Sequence, residues 1–139
     1  MKCIRVEHPD QFDDLANRAV SESSEVFVLF FGRESPGTNL SWCPDCVIAD
    51  PKVRKAISAV PGSILLEVPV DRKSNIDSPS NIYRIREDTK VERIPTLVRW
   101  TEAGPSKTRL IEDECSEEAV SKYAKETRSS AAGAVAAAP

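Results

Sequence analysis

A chain of 139 residues is long enough for one hydrophobic core and too short for two, so we expect a single domain. Its 40% hydrophobic and 29% charged residues are typical of a globular protein in water. A net charge of -3 offers no basic surface to a phosphate backbone, which argues against nucleic acid as a partner.

The distribution of apolar residues also indicates in which cellular compartment the protein is expected. No stretch approaches the roughly 20 apolar residues that span a bilayer, and the longest strongly apolar run is Val26–Phe31. The N-terminus reaches Glu7 without an apolar segment of the kind found in secretory signals. We therefore expect a cytoplasmic protein with no membrane partner. In a reducing compartment its four cysteines are not expected to form two structural disulfides.

The first part of the chain predicts a strand, a helix and a second strand. Residues 3–6 are a short β-prone run. A helix capped by Asp10 follows. Its apolar residues recur at helical spacing: Phe12, Leu15, Ala16, Ala19 and Val20. Val26–Phe31 has no polar member, as in a strand covered on both faces, and Gly32 closes it. A polar loop at residues 33–41 comes next.

The second helix is predicted to begin at Cys43 or Pro44, because proline suits the first helical position. Pro51 is expected to kink it. Its predicted apolar side consists of Val47, Ile48, Val53, Ala56, Ile57 and Val60. Residues 63–70 predict another buried strand. A short helix beginning at Ser78 follows. That helix is expected to bury Ile82, Tyr83 and Ile85.

The last part of the domain predicts a hairpin and a final helix. Residues 94–100 form a strand, residues 102–106 turn, and residues 107–111 return as its partner. Ser116 is expected to cap the last helix, which ends near Arg128. Its predicted inward stripe contains Ala119, Val120, Tyr123 and Ala124.

These elements predict an α/β fold over residues 1–128, in the order β-α-β-α-β-α-β-β-α. Helical crossovers imply parallel early strands, and the tight turn implies an antiparallel last pair, so the sheet is mixed and flanked by helices. Residues 129–139 are an uncharged, alanine-rich tail that we place outside the domain. A site is expected at the carboxyl ends of the strands, where Cys43 lies.

Cys43 and Cys46, separated by two residues at a helix start, are typical of a redox pair. The attacking species is a thiolate, and the free N–H groups and positive dipole end of a helix lower the pKa of a nearby thiol. Cys43 precedes the helix, so we assign it as the more exposed nucleophile. Cys46 lies one turn inside and is assigned as the resolving cysteine.

A structural or metal-binding pair is the main alternative. Zinc needs four ligands, but there is no second CxxC and His8 is the only histidine, so we disfavour this reading and predict no metal. Cys3 and Cys115 are expected to act as small apolar residues rather than redox partners. For Trp42, simple packing and a contact surface beside the nucleophile both stay open.

Four features together resemble thioredoxin-fold proteins. They are Trp42-Cys43-x-x-Cys46 at a helix start, Pro51 within that helix, Ile94-Pro95-Thr96 before a strand, and the element order. Within this superfamily, the Cys43-Pro44-Asp45-Cys46 centre and the long loop before it resemble the small cytosolic thioredoxin-related proteins of the Clot type. The resemblance covers residues 1–128.

The resemblance implies a cytosolic disulfide reductase that acts on small or exposed disulfides. It implies no bound cofactor, because thioredoxin reductase would recharge the dithiol with electrons from NADPH. It also implies that Pro95 is cis and lies against the cysteines, where Ile94 and Thr96 contact the substrate together with Trp42 and Pro44. We expect a monomer.

Asp45 marks a departure from ordinary thioredoxins. Many of them carry a buried aspartate in the strand before the motif, whereas Val26–Phe31 is wholly apolar. The charge of Asp45 opposes a Cys43 thiolate and is expected to raise its pKa. The same carboxylate is a candidate proton acceptor for Cys46, in place of the missing base.

Two other functions are alternatives to the reductase. One is a redox-gated binding module, in which the oxidation state of Cys43 and Cys46 switches the affinity for a partner with little turnover. The other is glutaredoxin-like use of glutathione. We disfavour the latter because no Gly-Gly follows Ile94–Thr96, where such proteins usually carry a glutathione-binding turn.

Overall fold

A single mixed β-sheet lies at the centre of the protein. The computed structural model describes residues 1–73 and 75–137. The strands found in them are β1 (Lys2–Arg5), β2 (Val26–Gly32), β3 (Ile64–Val70), β4 (Thr96–Thr101), β5 (Gly104–Pro105) and β6 (Leu110–Ile111). They join in the order β1-β3-β2-β4-β5, and β6 also pairs with β4.

Helices connect the strands and flank the sheet. Those of the described residues are α1 (Phe12–Glu22), α2 (Pro44–Ser58), α3 (Ile82–Ile85) and α4 (Glu117–Ala137). Strands β1 and β2 run parallel to β3, whereas β4 runs antiparallel to β2. Parallel neighbours need a crossover, which α1 and α2 supply. The predicted α/β class with a mixed central sheet is confirmed. Over the described part of the chain, no helix has both the length and the apolar character needed to cross a membrane.

Strand β2 is buried along its whole length because both of its edges and both of its faces are covered. Strands β3 and β4 pair with its edges, and its side chains alternate between the two faces of the sheet. On one face Phe30 stacks on Phe12 of α1, with ring centroids 6.3 Å apart. On the other face the guanidinium carbon of Arg99 lies 4.5 Å from the centroid of the Phe27 ring. This double cover explains why the strand contains no polar residue.

Arg99 ties the C-terminal helix to the sheet. Its side chain is fully buried. Its Nε donates to the Thr127 hydroxyl at 2.7 Å, and its Nη2 donates to the Glu25 carboxylate at 2.8 Å. Arg128 pairs with the other oxygen of Glu25 at 2.6 Å. A buried charge is costly unless it is paired, so this cluster fixes α4 in one position against β4.

The predicted partner of β4 is interrupted. Residues 107–111 were expected to form one returning strand, but two short pieces, β5 and β6, pair with β4 instead. Pro105 has no N–H with which to continue a ladder, and the chain bends away after it. The antiparallel pairing is confirmed, whereas the prediction of one continuous strand is wrong.

Helix ends differ from the predictions at three places. Asp10 lies inside a short 3-10 turn before α1 and does not cap that helix. Asn81, rather than Ser78, caps α3, because its side-chain oxygen accepts two backbone N–H groups. Helix α4 continues past Arg128 to Ala137, since alanine has the highest helix propensity.

The tail at residues 129–139 is only partly described. Its backbone belongs to α4 as far as Ala137, and residues 138–139 lie outside the described residues. The placement of this tail outside the domain of residues 1–128 stays a prediction.

Three isoleucines that were predicted to be buried are exposed. The exposed fractions are 59% for Ile48, 39% for Ile82 and 57% for Ile85. Helix α3 has a single turn, so only one of its apolar side chains, Tyr83, faces the core. The buried face of α2 falls instead on Cys46, Ala49, Val53, Ala56 and Ile57.

Candidate active site

The CxxC motif forms the N-terminus of α2. Cys43 immediately precedes the helix, and its Sγ accepts a hydrogen bond from the Cys46 N–H at 3.3 Å. The sulfur therefore takes the capping position that an oxygen of serine or aspartate usually holds. Pro44 occupies the first helical position, and Pro51 lies inside the helix, which continues through it. Both cysteines are free thiols, so the structure represents the dithiol state.

The two thiols differ in acidity. A hydrogen bond from the Cys46 thiol lowers the pKa of Cys43 to about 7, against an opposing effect of burial and with help from the backbone N–H groups of Cys46 and Asp45. The pKa of Cys46 is raised, because its thiol donates to the sulfur of Cys43 and because it is buried. The exposed fraction is 7% for Cys43 and 1% for Cys46. Cys43 is thus the more accessible and the more acidic member.

Asp45 is exposed in the first turn of α2. Its carboxylate raises the pKa of Cys43, which is the direction that the sequence indicates, whereas its backbone N–H lowers it. In the described part of the chain the main groups that act on Cys46 do not include the Asp45 carboxylate. A role for Asp45 as the base for Cys46 stays a prediction.

Gly32, at the end of β2, contacts both cysteines and was missed as a site residue. Its N–H donates to the Cys46 Sγ at 3.4 Å. A Cβ at this position would lie 2.7 Å from the Ser41 Oγ and 2.9 Å from the Cys43 Cβ. These distances are too short for real contacts, so only glycine leaves room for the motif. The sequence feature that could have identified Gly32 as a site residue is its position at the end of a buried strand, directly before the loop that leads to the motif.

Ser41 is a second residue that the sequence analysis missed. Its Oγ accepts a hydrogen bond from the Cys43 N–H at 3.1 Å, and a hydrogen bond from its hydroxyl lowers the pKa of Cys46. The residue is half-buried. Ser41 therefore contacts Cys43 and influences the acidity of Cys46 from outside the motif. Its position just before Trp42 and Cys43 was the only signal in the sequence.

The segment around Pro95 faces the motif from a distant part of the chain. The Ile94–Pro95 peptide bond is cis, which is the geometry that the resemblance implies. The Ile94 carbonyl oxygen lies 3.9 Å from the Cys43 Sγ. Thr96 is 1% exposed and its hydroxyl donates to the Arg93 carbonyl. The side chain of Thr96 therefore supports this loop and does not open towards solvent.

Of the two roles that the sequence left open for Trp42, the structure shows packing, and contact with substrate stays a prediction. Its Nε1 donates to the Val70 carbonyl at 2.9 Å, and its ring packs against the core. The residue is only half-buried, and Pro44 beside the nucleophile is exposed. Trp42 and Pro44 therefore present partly exposed surface on either side of Cys43 in the sequence.

Ion pairs hold the loop at residues 33–41 beside the motif. Glu34 pairs with Arg5 of β1 at 2.6 Å, and Arg33 pairs with Glu7 at 2.9 Å. These pairs attach the loop to β1, the first strand in the sheet order, and to the segment that follows it.

The other two cysteines have different environments. Cys115 is 2% exposed, and burial raises its pKa to about 12, which makes it a poor nucleophile. Cys3 is exposed on strand β1. Among the described residues, no group of three or more His, Cys, Asp or Glu side chains is placed to hold a metal ion.

Solved structures that share the fold include thioredoxins. Spinach chloroplast thioredoxin F has a TM-score of 0.55 and 16% sequence identity, over 94% of this chain and 87% of that one. Thioredoxin O1 from Arabidopsis thaliana has a TM-score of 0.52 and 16% identity, over 80% of this chain and 86% of that one. Together with the CxxC at the start of α2, this likeness shows a thioredoxin fold.

Sequence similarity identifies the family within that fold. The family model described as thioredoxin domain-containing protein 17-like, thioredoxin domain, matches residues 5–124. Thioredoxin-like protein Clot of Arabidopsis thaliana is 33% identical over 101 residues, which are 72% of this chain and 74% of that protein. Human thioredoxin domain-containing protein 17 is 34% identical over 102 residues, 71% of this chain and 77% of that protein. The chain belongs to the thioredoxin domain-containing protein 17-like family, and the predicted Clot-type resemblance is confirmed.

Proposed function

We propose that this protein is a monomeric, cytoplasmic thiol-disulfide oxidoreductase that reduces small or exposed disulfides. The observation that carries the proposal is the pairing of two unlike thiols: the pKa of Cys43 is lowered to about 7, and that of the buried Cys46 is raised. Near neutral pH, the Cys43 sulfur is available as a thiolate while the Cys46 sulfur stays protonated as a thiol. Dithiol exchange needs this combination.

The proposed cycle has two exchange steps. The Cys43 thiolate attacks one sulfur of the substrate disulfide, and the other sulfur leaves with the electron pair and takes up a proton. Cys46 then loses its proton and attacks the Cys43 sulfur of the mixed disulfide. The second substrate thiol is released and a Cys43–Cys46 disulfide remains, so two electrons have passed to the substrate.

The surroundings of Cys43 favour a narrow range of substrates. The Ile94 carbonyl beside the nucleophile is a backbone acceptor with which an extended substrate segment can pair. Trp42 and Pro44 provide the adjoining surface. The tethered loop at residues 33–41 occupies one rim, which favours small or protruding disulfides over broad protein surfaces.

The oxidised pair must then be reduced again. We propose that thioredoxin reductase supplies the electrons from NADPH, so that the protein itself binds no cofactor. The family membership and the dithiol site support this proposal.

A coupled assay tests the reductase. Purified protein is mixed with NADPH, thioredoxin reductase and cystine, and NADPH consumption is followed. We expect consumption that is abolished by Cys43→Ser and unchanged by the control Cys3→Ser, which alters an exposed cysteine outside the motif. Absence of consumption with cystine and with a panel of protein disulfides would reject the proposal.

A trapping experiment separates the reductase from the binding module. Cys46→Ser is expected to accumulate mixed disulfides through Cys43, which reducing agents release and mass spectrometry identifies. Partners that bind only one oxidation state of the wild type, without forming a mixed disulfide in the Cys46→Ser protein, would instead support the redox-gated module.

A further inference from the structure

The resolving step poses a chemical problem that the motif alone does not solve. Cys46 must become a thiolate to attack the mixed disulfide, yet it is 1% exposed and its pKa is raised. Once Cys43 is bonded to a substrate sulfur, it is no longer a thiolate that can take the proton. Strand β2 provides no carboxylate, because Val26–Phe31 is entirely apolar. Another group must therefore stabilise the resolving thiolate.

One backbone donor contacts the Cys46 sulfur, and a side-chain hydroxyl lies next to that donor. The Gly32 N–H lies 3.4 Å from the sulfur. The Ser41 Oγ lies directly over Gly32, 2.7 Å from where a Cβ would be, and it accepts the Cys43 N–H at 3.1 Å. A hydroxyl that accepts one bond still has its proton to donate, and a hydrogen bond from Ser41 lowers the pKa of Cys46. Ser41 is half-buried, and therefore it reaches solvent where Cys46 does not.

We propose that the Ser41 hydroxyl and the Gly32 N–H form a two-donor site that stabilises the Cys46 thiolate during resolution. The proton of Cys46 leaves to water by way of the Ser41 hydroxyl. The Cys46 sulfur then bonds to Cys43, the bond from Cys43 to the substrate breaks, and the substrate sulfur leaves with the electron pair and takes a proton from water. This inference rests on the proposed function and adds the group that makes the resolving cysteine reactive.

The charged groups near the motif act mainly on cysteines other than Cys46. On α2, Asp45 acts on Cys43. Helix α2 also packs against the 3-10 turn at Glu112–Glu114, where Asp113 and Glu114 raise the pKa of Cys115. The segment at Ile94 contributes a carbonyl, which cannot donate. Among the described residues, the side chains whose hydrogen bonds act most on the pKa of Cys46 are Cys43, which raises it, and Ser41, which lowers it.

The test uses a chromogenic disulfide, dithiobis(nitrobenzoate), and needs no reductase. In a Cys3→Ser background, Cys43 releases one coloured thiolate when it forms the mixed disulfide, and Cys46 releases the second when it resolves it. Stopped-flow absorbance separates the two phases, and the pH dependence of the second reports the pKa of Cys46.

We expect Ser41→Ala to slow the second phase about tenfold near neutral pH and to move its pH midpoint upward by about one unit. Ser35→Ala, the same change elsewhere in the loop, is the matched control and is expected to leave both phases unchanged. Ser41→Thr and Ser41→Val repeat the comparison at equal volume, and only the threonine variant is expected to keep the fast second phase.

Equal second-phase rates for the wild type and Ser41→Ala, or for the threonine and valine variants, would overturn the inference. So would a slow second phase in Asp45→Asn with a normal one in Ser41→Ala, because that result assigns the base to Asp45. The first phase distinguishes the two proposals. If Cys43 does not react at all, the proposed function fails; if it reacts and Ser41 has no effect on resolution, only the inference fails.

Discussion

Single residues around the motif set the acidity of Cys43. The Cys46 thiol and the first N–H groups of α2 lower its pKa, whereas burial and the charge of Asp45 raise it. The balance falls at about 7, close to the pH at which exchange would take place. A CxxC pair is therefore tuned by the donors and charges next to it, and those neighbours are the most informative residues to change.

Asp45→Asn is expected to make Cys43 more acidic, because it removes a negative charge that opposes the thiolate. Iodoacetamide alkylation of the Cys3→Ser protein should become roughly twofold faster below pH 7, with no change at high pH where the thiolate is complete. Asp77→Asn, an exposed position away from the motif, is the control. Slower alkylation of Asp45→Asn would contradict the sign of this electrostatic effect.

Gly32→Ala is expected to disturb the site directly, because the added methyl group overlaps Ser41 and Cys43. We expect a loss of about 1–3 kcal/mol in the free energy of unfolding, measured with urea, and slower reaction of both cysteines with dithiobis(nitrobenzoate). Gly37→Ala is the matched control, since nothing lies within 4 Å of its added methyl group. If both variants behaved like the wild type, the close packing at Gly32 would be refuted.

At the scale of elements, α4 depends on a polar cluster as well as on apolar packing. Its long alanine-rich backbone favours helix by itself, but propensity does not choose a position on the sheet. The buried guanidinium of Arg99 bonds to Thr127 and Glu25, and it thereby specifies where the helix lies. Helix α4 in turn packs against α2, which carries the motif.

Arg99→Met is expected to lower the free energy of unfolding by about 3–5 kcal/mol, because it leaves the Glu25 carboxylate with one fewer partner in a buried site. Arg18→Met, on the exposed side of α1, should change it by less than about 0.5 kcal/mol. Urea unfolding of both variants in the same buffer gives the comparison. A loss at Arg99 no larger than that at Arg18 would show that the cluster does not hold α4.

At the scale of the whole molecule, Cys43 and Cys46 couple to folding through their unequal pKa values. The folded-state pKa of Cys43 is depressed from its ordinary 9.0 to about 7, so its thiolate stabilises the fold fully above pH 9 and this contribution is lost as the pH falls towards 7. The raised pKa of Cys46 acts oppositely, since above pH 9 the unfolded thiol ionises and the folded one does not. Reduced protein should therefore be most stable near pH 9.

We expect the free energy of unfolding of the reduced protein to rise by about 1–2 kcal/mol from pH 7 to pH 9, as measured by urea titration under a reducing agent. The expected rise follows from Cys43 alone, so Cys43→Ser should remove most of it. A profile that stays flat in the wild type, or an equal rise in Cys43→Ser, would be the contrary result.

Sequence reasoning succeeded where local pattern and packing agree. The all-apolar run of β2, the proline after Cys43, and the crossover helices predict the α/β fold and the start of α2. It failed at short or marginal elements. Helix α3 has one turn and buries only Tyr83, so Ile82 and Ile85 carry no reliable periodicity. The partner of β4 is interrupted at Pro105, which has no N–H to continue the ladder of hydrogen bonds. The sequence alone does not show where the pairing resumes.

The sequence by itself determined where the candidate site lies, because CxxC at a helix start, Pro51 and Ile94-Pro95-Thr96 are local patterns. Only the tertiary structure decided what surrounds the sulfurs. Gly32, Ser41 and the Ile94 carbonyl reach the pair from a strand end, a loop and a distant turn, and no spacing in the chain relates them. The donors that fix the acidity of a thiol act over a few ångströms in space, so their choice belongs to the fold rather than to the motif.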